Sequence, residues 1–91
     1  MPLSDPAAKK AKPADKPYKL ADEKGLYLLV NAAGKYWRMD YRHGGKRKTL
    51  ALGVYPDVTL ARAREKRDEA RSLLADDIDP SAARKHRKLA D

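Results

Sequence analysis

A basic and aromatic segment between Lys35 and Lys48 is the most informative part of this sequence. This 14-residue segment holds six of the 21 lysines and arginines, and Asp40 is its only acid. Three aromatic residues are interleaved with these cations, namely Tyr36, Trp37 and Tyr41. Because a strand alternates its side chains between two faces, we expect the cations on one face of a small sheet and the aromatic residues largely on the other. A rigid, cationic, partly aromatic surface suits a polyanion, with nucleic acid as the leading candidate.

Composition limits the other classes of function. The 91 residues suffice for one small domain, and the formal charge of +8 with a pI near 9.8 favours an anionic partner. Without cysteine there is no disulfide framework, and two histidines alone argue against a structural zinc site, so we expect no metal or cofactor. No apolar run reaches the ~18 residues of a transmembrane helix, and the start lacks the apolar stretch of a signal peptide. We therefore expect no membrane association and a cytoplasmic location.

The first 17 residues predict a short helix and an arm. Ser4 or Asp5 could cap the helix, Pro6 is allowed in its first turn, and Pro13 would end it. We expect this helix to be loosely held and followed by an extended linker. Residues 15–22 alternate enough to predict a short first strand or a β-like arm.

Three strands are predicted in the middle of the chain, over residues 26–30, 36–42 and 46–52. A turn at residues 31–34 and the Gly44–Gly45 pair would connect them as an antiparallel meander. Alternation assigns one set of side chains to the buried face: Leu26, Leu28, Val30, Trp37, Met39, Tyr41, Leu50 and Leu52. The other face receives Tyr27, Leu29, Tyr36, Arg38, Asp40, Arg42, Arg47, Thr49 and Ala51. Lys46 and Lys48 share the parity of Leu50, but their long stems could bend away from the core.

A helix of roughly 17 residues is predicted after Thr59, which is a plausible N-cap. Its apolar stripe should cover the buried face of the sheet and contains Leu60, Ala63, Ala70, Leu74 and Ile78. Arg67 falls inside this stripe, so either its stem snorkels past the sheet edge or the stripe is rotated. Arg64 and Asp68 have the i,i+4 spacing of an ion pair. The predicted fold class is therefore α+β, a three-stranded antiparallel sheet with a long C-terminal helix on one face and a short N-terminal helix.

Several strings in this order resemble the amino-terminal arm-binding domain of prophage- and island-type tyrosine recombinases, or integrases. The matching segments are AKPADKPYKLAD (11–22), GLYLLV (25–30), YWRMDYR with GGKRKTLALGVYP (36–56) and TLARAREKRDEARSLLADDIDP (59–80). Each string alone is weak, but all of them in order cover roughly residues 11–80 and form a specific match. We therefore expect an N-terminal helix and arm at 1–17, an arm-type DNA-binding domain at 18–80, and at 81–91 the start of a basic linker to core-binding and catalytic domains that this sequence does not contain.

The resemblance also implies a function, namely binding to the arm-type DNA sites that flank the crossover core of an attachment site. In related recombinases a three-stranded sheet lies in the major groove with a helix packed behind it. By this analogy the candidates for contacts with bases are Arg38, Arg42, Arg47 and Thr49. The candidates for contacts with the DNA backbone are Tyr27, Lys35, Tyr36, His43, Lys46 and Lys48.

The implied partners are double-stranded DNA, the rest of the integrase chain and other integrase protomers, in the nucleoid-associated cytoplasm of a bacterial host. The whole enzymes cleave DNA through a tyrosine assisted by an Arg–His–Arg group in a much larger domain, and nothing in this sequence matches that domain. We therefore expect a binding module without catalytic activity. Two alternatives stay open, a double-stranded RNA-binding module and a protein-interaction module that docks an acidic partner on the same basic face.

Overall fold

Six elements make up the fold in the computed structural model, which describes residues 3–83. In chain order they are α1 (Asp5–Lys10), β1 (Tyr18–Ala21), β2 (Leu26–Asn31), β3 (Gly34–His43), β4 (Lys46–Tyr55) and α2 (Leu60–Ala75). The strands form one antiparallel sheet in the order β1-β2-β3-β4. The predicted α+β class with an antiparallel sheet is confirmed. From residue 84 onward the predicted basic linker lies outside the described residues.

The prediction of a three-stranded sheet was wrong, because β1 pairs with β2 as a fourth strand. Leu20 lies opposite Leu28, and half-buried Tyr18 and Leu20 alternate with exposed Lys19 and Ala21. This alternation covers only four residues, so the sequence alone could not distinguish a paired strand from a free β-like arm. The pairing supplies backbone partners that an unpaired arm would lack.

Both predicted turns are present. The Gly44–Gly45 pair connects β3 to β4 with φ values of 61° and 77°. A two-residue hairpin of this kind requires positive φ at both positions, which glycine adopts without a steric penalty. In the turn between β2 and β3, the Asn31 side chain accepts hydrogen bonds from the backbone N–H groups of Ala33 and Gly34 at 2.8 and 3.1 Å.

The N-terminal helix is packed into the domain, in contrast to the loosely held helix expected from sequence. Ser4, one of the two predicted candidates, is its N-cap, and Leu3 and Ala8 are buried members of the hydrophobic core. Lys35 Nζ donates a hydrogen bond of 2.8 Å to the carbonyl of Ala8 and thereby ties the helix to β3. Six residues are too few for a helix to be stable alone, so these tertiary contacts hold it.

Helix α2 has 16 residues with Thr59 as its N-cap, in agreement with the predicted position. At about 24 Å it is not an especially long helix. It packs on the sheet face that carries the buried side chains of β2, β3 and β4, and the predicted core residues of those strands are all buried. Ile78 was wrongly placed in the apolar stripe, because the helix ends at Ala75 and Ile78 is exposed.

Arg67 is buried within the helix stripe and is neutralised there. Its guanidinium contacts the Asp22 carboxylate at 3.1 Å and Asp68 at 3.0 Å, and it also bonds the carbonyl of Glu23. The stripe is therefore not rotated, and the cation has partners inside the protein. The predicted pair between Arg64 and Asp68 is absent, because Arg64 bonds Asp22 instead.

Asp22 joins three parts of the chain. Its side chain is 1% exposed and accepts from Arg64, Arg67 and the backbone N–H of Leu3. Burial opposes ionisation, but the hydrogen bonds from Arg64 and from the backbone lower the pKa of Asp22 below its ordinary value. The carboxylate thus connects the N-terminus, the β1–β2 loop and α2.

A second buried carboxylate, Asp79, connects the β3–β4 hairpin to the segment after α2. It accepts hydrogen bonds from Lys48 Nζ, from Tyr41 Oη at 2.6 Å and from the backbone N–H of Ser81 at 2.9 Å. The Lys48 ammonium, with the Tyr41 hydroxyl, holds the pKa of Asp79 well below its usual range. Asp79 therefore remains ionised and fixes the direction in which the chain leaves α2.

A β-bulge lets Trp37 reach its hydrogen-bond partner. Trp37 lies opposite Gly53 whereas Arg38 lies opposite Ala51, so β4 contains one extra residue here. Gly53 has φ of 134°, and a Cβ atom there would collide with Val58. This close approach positions the Val58 carbonyl to accept a 2.7 Å hydrogen bond from Trp37 Nε1.

We predict that Trp37→Ala destabilises the domain by ~3–5 kcal/mol, because it removes the largest fully buried side chain. It also leaves the Val58 carbonyl without its partner. Urea unfolding followed by circular dichroism measures the change. The matched control is Arg38→Ala, one residue away on the opposite face, which should alter stability by less than about 0.5 kcal/mol. Equal stability of the two variants would contradict the assignment of faces.

Candidate nucleic-acid interface

The sheet face opposite α2 carries exposed and partly exposed side chains, apart from Tyr27, which is buried at 9% exposure, and we name it the open face. Strand alternation places there the side chains whose parity is opposite to that of the core residues. Its ionisable, aromatic and hydroxyl-bearing strand residues are Lys19, Tyr27, Tyr36, Arg38, Asp40, Arg42, Arg47 and Thr49. The face is dominated by cations, with Asp40 as the only acid in the four strands.

Two arginines lie directly opposite each other on the open face. Arg42 of β3 is the register partner of Arg47 of β4, and both side chains are exposed. Like charges in such a cross-strand pair repel each other and destabilise the sheet. Within residues 3–83, neither arginine donates a side-chain hydrogen bond or forms an ion pair, and the same holds for Arg38. A bound polyanion would relieve this repulsion.

Asp40 lies among these cations and is held by two hydroxyl groups. Its Oδ1 atom accepts from Thr49 Oγ1 at 2.8 Å and from Tyr27 Oη at 3.2 Å. Burial, followed by the nearby Asp40 carboxylate, raises the pKa of Tyr27, so the phenol stays protonated at neutral pH and remains a donor. The arrangement fixes the carboxylate on the face.

Lys19 is a cation of the open face that the sequence interpretation missed. Its Nζ atom lies 4.7 Å from the centroid of the Tyr27 ring, a distance typical of a cation–π contact. The signal was present in the alternation of β1, in which Tyr18 and Leu20 are partly buried and Lys19 is exposed. It was overlooked because that segment was not assigned to the sheet.

The structure brings six of the ten predicted site residues together on the open face: Tyr27, Tyr36, Arg38, Arg42, Arg47 and Thr49. The other four share the parity of the core residues. Lys35 contacts α1 and Lys48 bonds Asp79, whereas Lys46 is exposed at the hairpin end. Their contacts with the DNA backbone stay predictions, and Lys35 and Lys48 already have protein partners.

His43 also lies at the hairpin end on the helix side. Its Nε2 atom is 3.7 Å from Asp77 Oδ1, and its Nδ1 atom is 4.0 Å from Asp79 Oδ2. These distances allow favourable electrostatic contacts when the imidazole is protonated. His43 is thus directed toward the segment after α2 and away from the open face.

Among residues 3–83 no group of three or more His, Cys, Asp or Glu side chains is placed to hold a metal ion. A groove with space of about 580 Å³ lies on the helix side, between α2 and the helical residues 80–83, and includes none of the predicted site residues. In the same part of the chain no helix combines the length and apolarity needed to cross a membrane.

Comparisons with known proteins point to a DNA-binding domain. Residues 3–87 match the family described as Arm DNA-binding domain. The chain is 54% identical over 88 residues to the integrase of Enterobacteria phage P4, which covers 93% of this chain and 20% of that protein. It is 46% identical over 92 residues to the prophage integrase IntZ of Escherichia coli (strain K12), covering 97% of this chain and 23% of the relative. It is 47% identical over 76 residues to the integrase of Shigella phage Sf6, covering 82% of this chain and 20% of that protein. The chain thus spans about a fifth of the length of these relatives.

We predict that Arg42→Gln stabilises the free domain by ~0.2–1 kcal/mol at low salt, because it removes the repulsion with Arg47. The gain should shrink in about 1 M salt, where charges are screened within about 3 Å. Urea unfolding at both salt concentrations measures it. Arg71→Gln, an exposed change on α2, is the control and should give no gain. Destabilisation by Arg42→Gln at low salt would show that Arg42 has a stabilising partner.

Proposed function

This chain belongs to the Arm DNA-binding domain family, and we propose that it recognises arm-type sites of an attachment site with its open face in the major groove. The observation that carries the proposal is that Arg42 and Arg47 lie directly opposite each other, without an ion-pair partner among residues 3–83, on the face that also carries Arg38. Positive side chains without protein partners on a rigid surface are what a phosphate-rich ligand requires. The module would serve a site-specific tyrosine recombinase in DNA integration and excision, together with the rest of an integrase chain and other protomers, in the bacterial cytoplasm.

The width of the four-stranded sheet argues against insertion of all its strands, and the candidate residues favour insertion of the part that contains the β3–β4 hairpin. Neighbouring strands lie about 4.8 Å apart, so four strands span about 14 Å between the outer strand axes. The major groove is about 12 Å wide and admits a two-stranded ribbon. All four candidates for base contacts belong to β3 and β4: Arg38, Arg42, Arg47 and Thr49. Lys19 and Tyr27, on β1 and β2, would then meet the sugar–phosphate backbone at the groove edge.

The double-stranded RNA alternative is less favoured by this geometry. The major groove of A-form RNA is too deep and narrow for side chains to read, and RNA-binding modules of that type use helix ends and loops. Here the uncompensated arginines lie on strands, in the middle and at the hairpin end of the sheet. A protein-interaction role would instead predict binding to an acidic protein, without a preference for duplex DNA.

We predict that Arg38→Ala and Arg47→Ala each cost ~1–3 kcal/mol of affinity on the preferred duplex and relax the preference at one base position. Lys46→Ala, at the exposed hairpin end, should weaken all duplexes similarly and reduce the slope of log affinity against log salt by about one. Fluorescence anisotropy with preferred and scrambled duplexes at several salt concentrations separates the two effects. An equal loss on every duplex for all three variants would refute the assignment to base contacts.

We further predict that this chain binds attachment-site DNA without nicking it or joining to it covalently. Tyr27 and Tyr41 donate hydrogen bonds to the carboxylates of Asp40 and Asp79, and burial raises the pKa of both phenols, which makes them poor nucleophiles. Incubation with labelled duplex followed by denaturing electrophoresis should show intact strands only. Recovery of a phosphotyrosyl adduct would contradict the prediction.

A further inference from the structure

Asp40 is an unexpected residue on a surface that binds DNA, because a carboxylate is repelled by phosphates. It does not neutralise the neighbouring arginines, since no ion pair within residues 3–83 joins it to Arg38, Arg42 or Arg47. Hydrogen bonds within the protein involve only one of the two carboxylate oxygens of Asp40. Oδ1 accepts both hydroxyl hydrogen bonds, from Tyr27 and Thr49, whereas Oδ2 accepts none from the described residues.

We propose that Asp40 determines specificity by accepting a hydrogen bond from the exocyclic N4 amino group of a cytosine in the major groove. This inference rests on the proposed function and names one base-recognition contact within it. Asp40 lies on β3, in the two-stranded part of the sheet that the groove can admit. Two hydroxyl groups hold its carboxylate in place, so Oδ2 is preorganised as an acceptor.

The chemistry of the base edges selects cytosine. An ionised carboxylate can only accept hydrogen bonds. In the major groove guanine presents two acceptors and thymine presents an acceptor and a methyl group, so both would repel Oδ2. Adenine offers an amino group, but its N7 acceptor lies beside it, whereas cytosine presents only the N4 donor.

The neighbours of Asp40 fit the same base-pair chemistry. Arg38 and Arg42 are two residues away along β3, about 7 Å on either side, on the same face. A guanidinium makes its most frequent specific contact with guanine O6 and N7. We therefore expect the cytosine recognised by Asp40 to lie within about two base pairs of a guanine that one of these arginines contacts.

The experiment selects duplexes from a random pool with the 91-residue chain, with Asp40→Ala and with the matched control Asp57→Ala. Asp57 is exposed in the turn after β4, so its variant loses the same charge away from the open face. We expect the unmodified chain and the Asp57 variant to require cytosine at one position. There, any other base should weaken binding roughly 5- to 150-fold. Asp40→Ala should bring that ratio close to one and leave the other positions unchanged. Circular dichroism verifies that each variant is folded.

A second measurement needs no variant. Each cytosine of the selected duplex is replaced in turn by a 2-pyrimidinone nucleotide, which lacks the N4 amino group. One position should show a loss within the same roughly 5- to 150-fold range. The inference is wrong if Asp40→Ala selects the same site with the same cytosine requirement. It is also wrong if the position at which Asp40→Ala relaxes the preference is adenine, guanine or thymine in the selected duplex. Failure of the unmodified chain to select any duplex would refute the proposed function instead.

Discussion

The alternation of side chains along β3 is the constraint on which both faces of this domain depend. β3 is an inner strand that pairs with β2 on one side and β4 on the other. Burying Trp37, Met39 and Tyr41 under α2 commits the intervening residues to the opposite face. Because a shift of one residue would exchange the two sets, the core specifies the register of the open face as well. The β-bulge near Trp37 adjusts this register without reversing the faces.

Two buried carboxylates add long-range connections to a core that has no phenylalanine and no disulfide. Asp22 holds the N-terminal residues against α2, and Asp79 holds the segment after α2 against the hairpin. Each accepts hydrogen bonds from more than two donors, so the desolvation of its charge is compensated. The hairpin that carries the arginines is therefore anchored from the helix side while its other face remains free to meet a ligand.

Much of this organisation could be predicted from local patterns, whereas pairings between distant residues could not. The Gly44–Gly45 turn, the Thr59 cap and the membership of the two sheet faces follow from chemistry within a few residues. Arg67 instead pairs with Asp22 across 45 sequence positions, and no local spacing indicates that contact. As lysines close to a basic turn, Lys35 and Lys48 were predicted to contact phosphates. Their orientations depend on α1 and Asp79, which the sequence did not assign to the core of the domain. The contacts with DNA bases and with the DNA backbone remain predictions.

The cations on the two sides of the sheet differ in whether they have partners within the protein. On the helix side, Lys35, Lys48 and Arg67 each donate to a carbonyl or carboxylate oxygen of the protein. On the open face, Arg42 and Arg47 lie opposite each other, and like charges in this arrangement repel each other in the free domain. Folding alone would favour an oppositely charged partner at either position. If Arg42 and Arg47 contact DNA as proposed, the phosphates would relieve this repulsion, and its relief would contribute to the free energy of binding. A domain of this size can tolerate the repulsion between Arg42 and Arg47, because Asp79 binds the hairpin and Asp22 binds α2 on the helix side of the sheet.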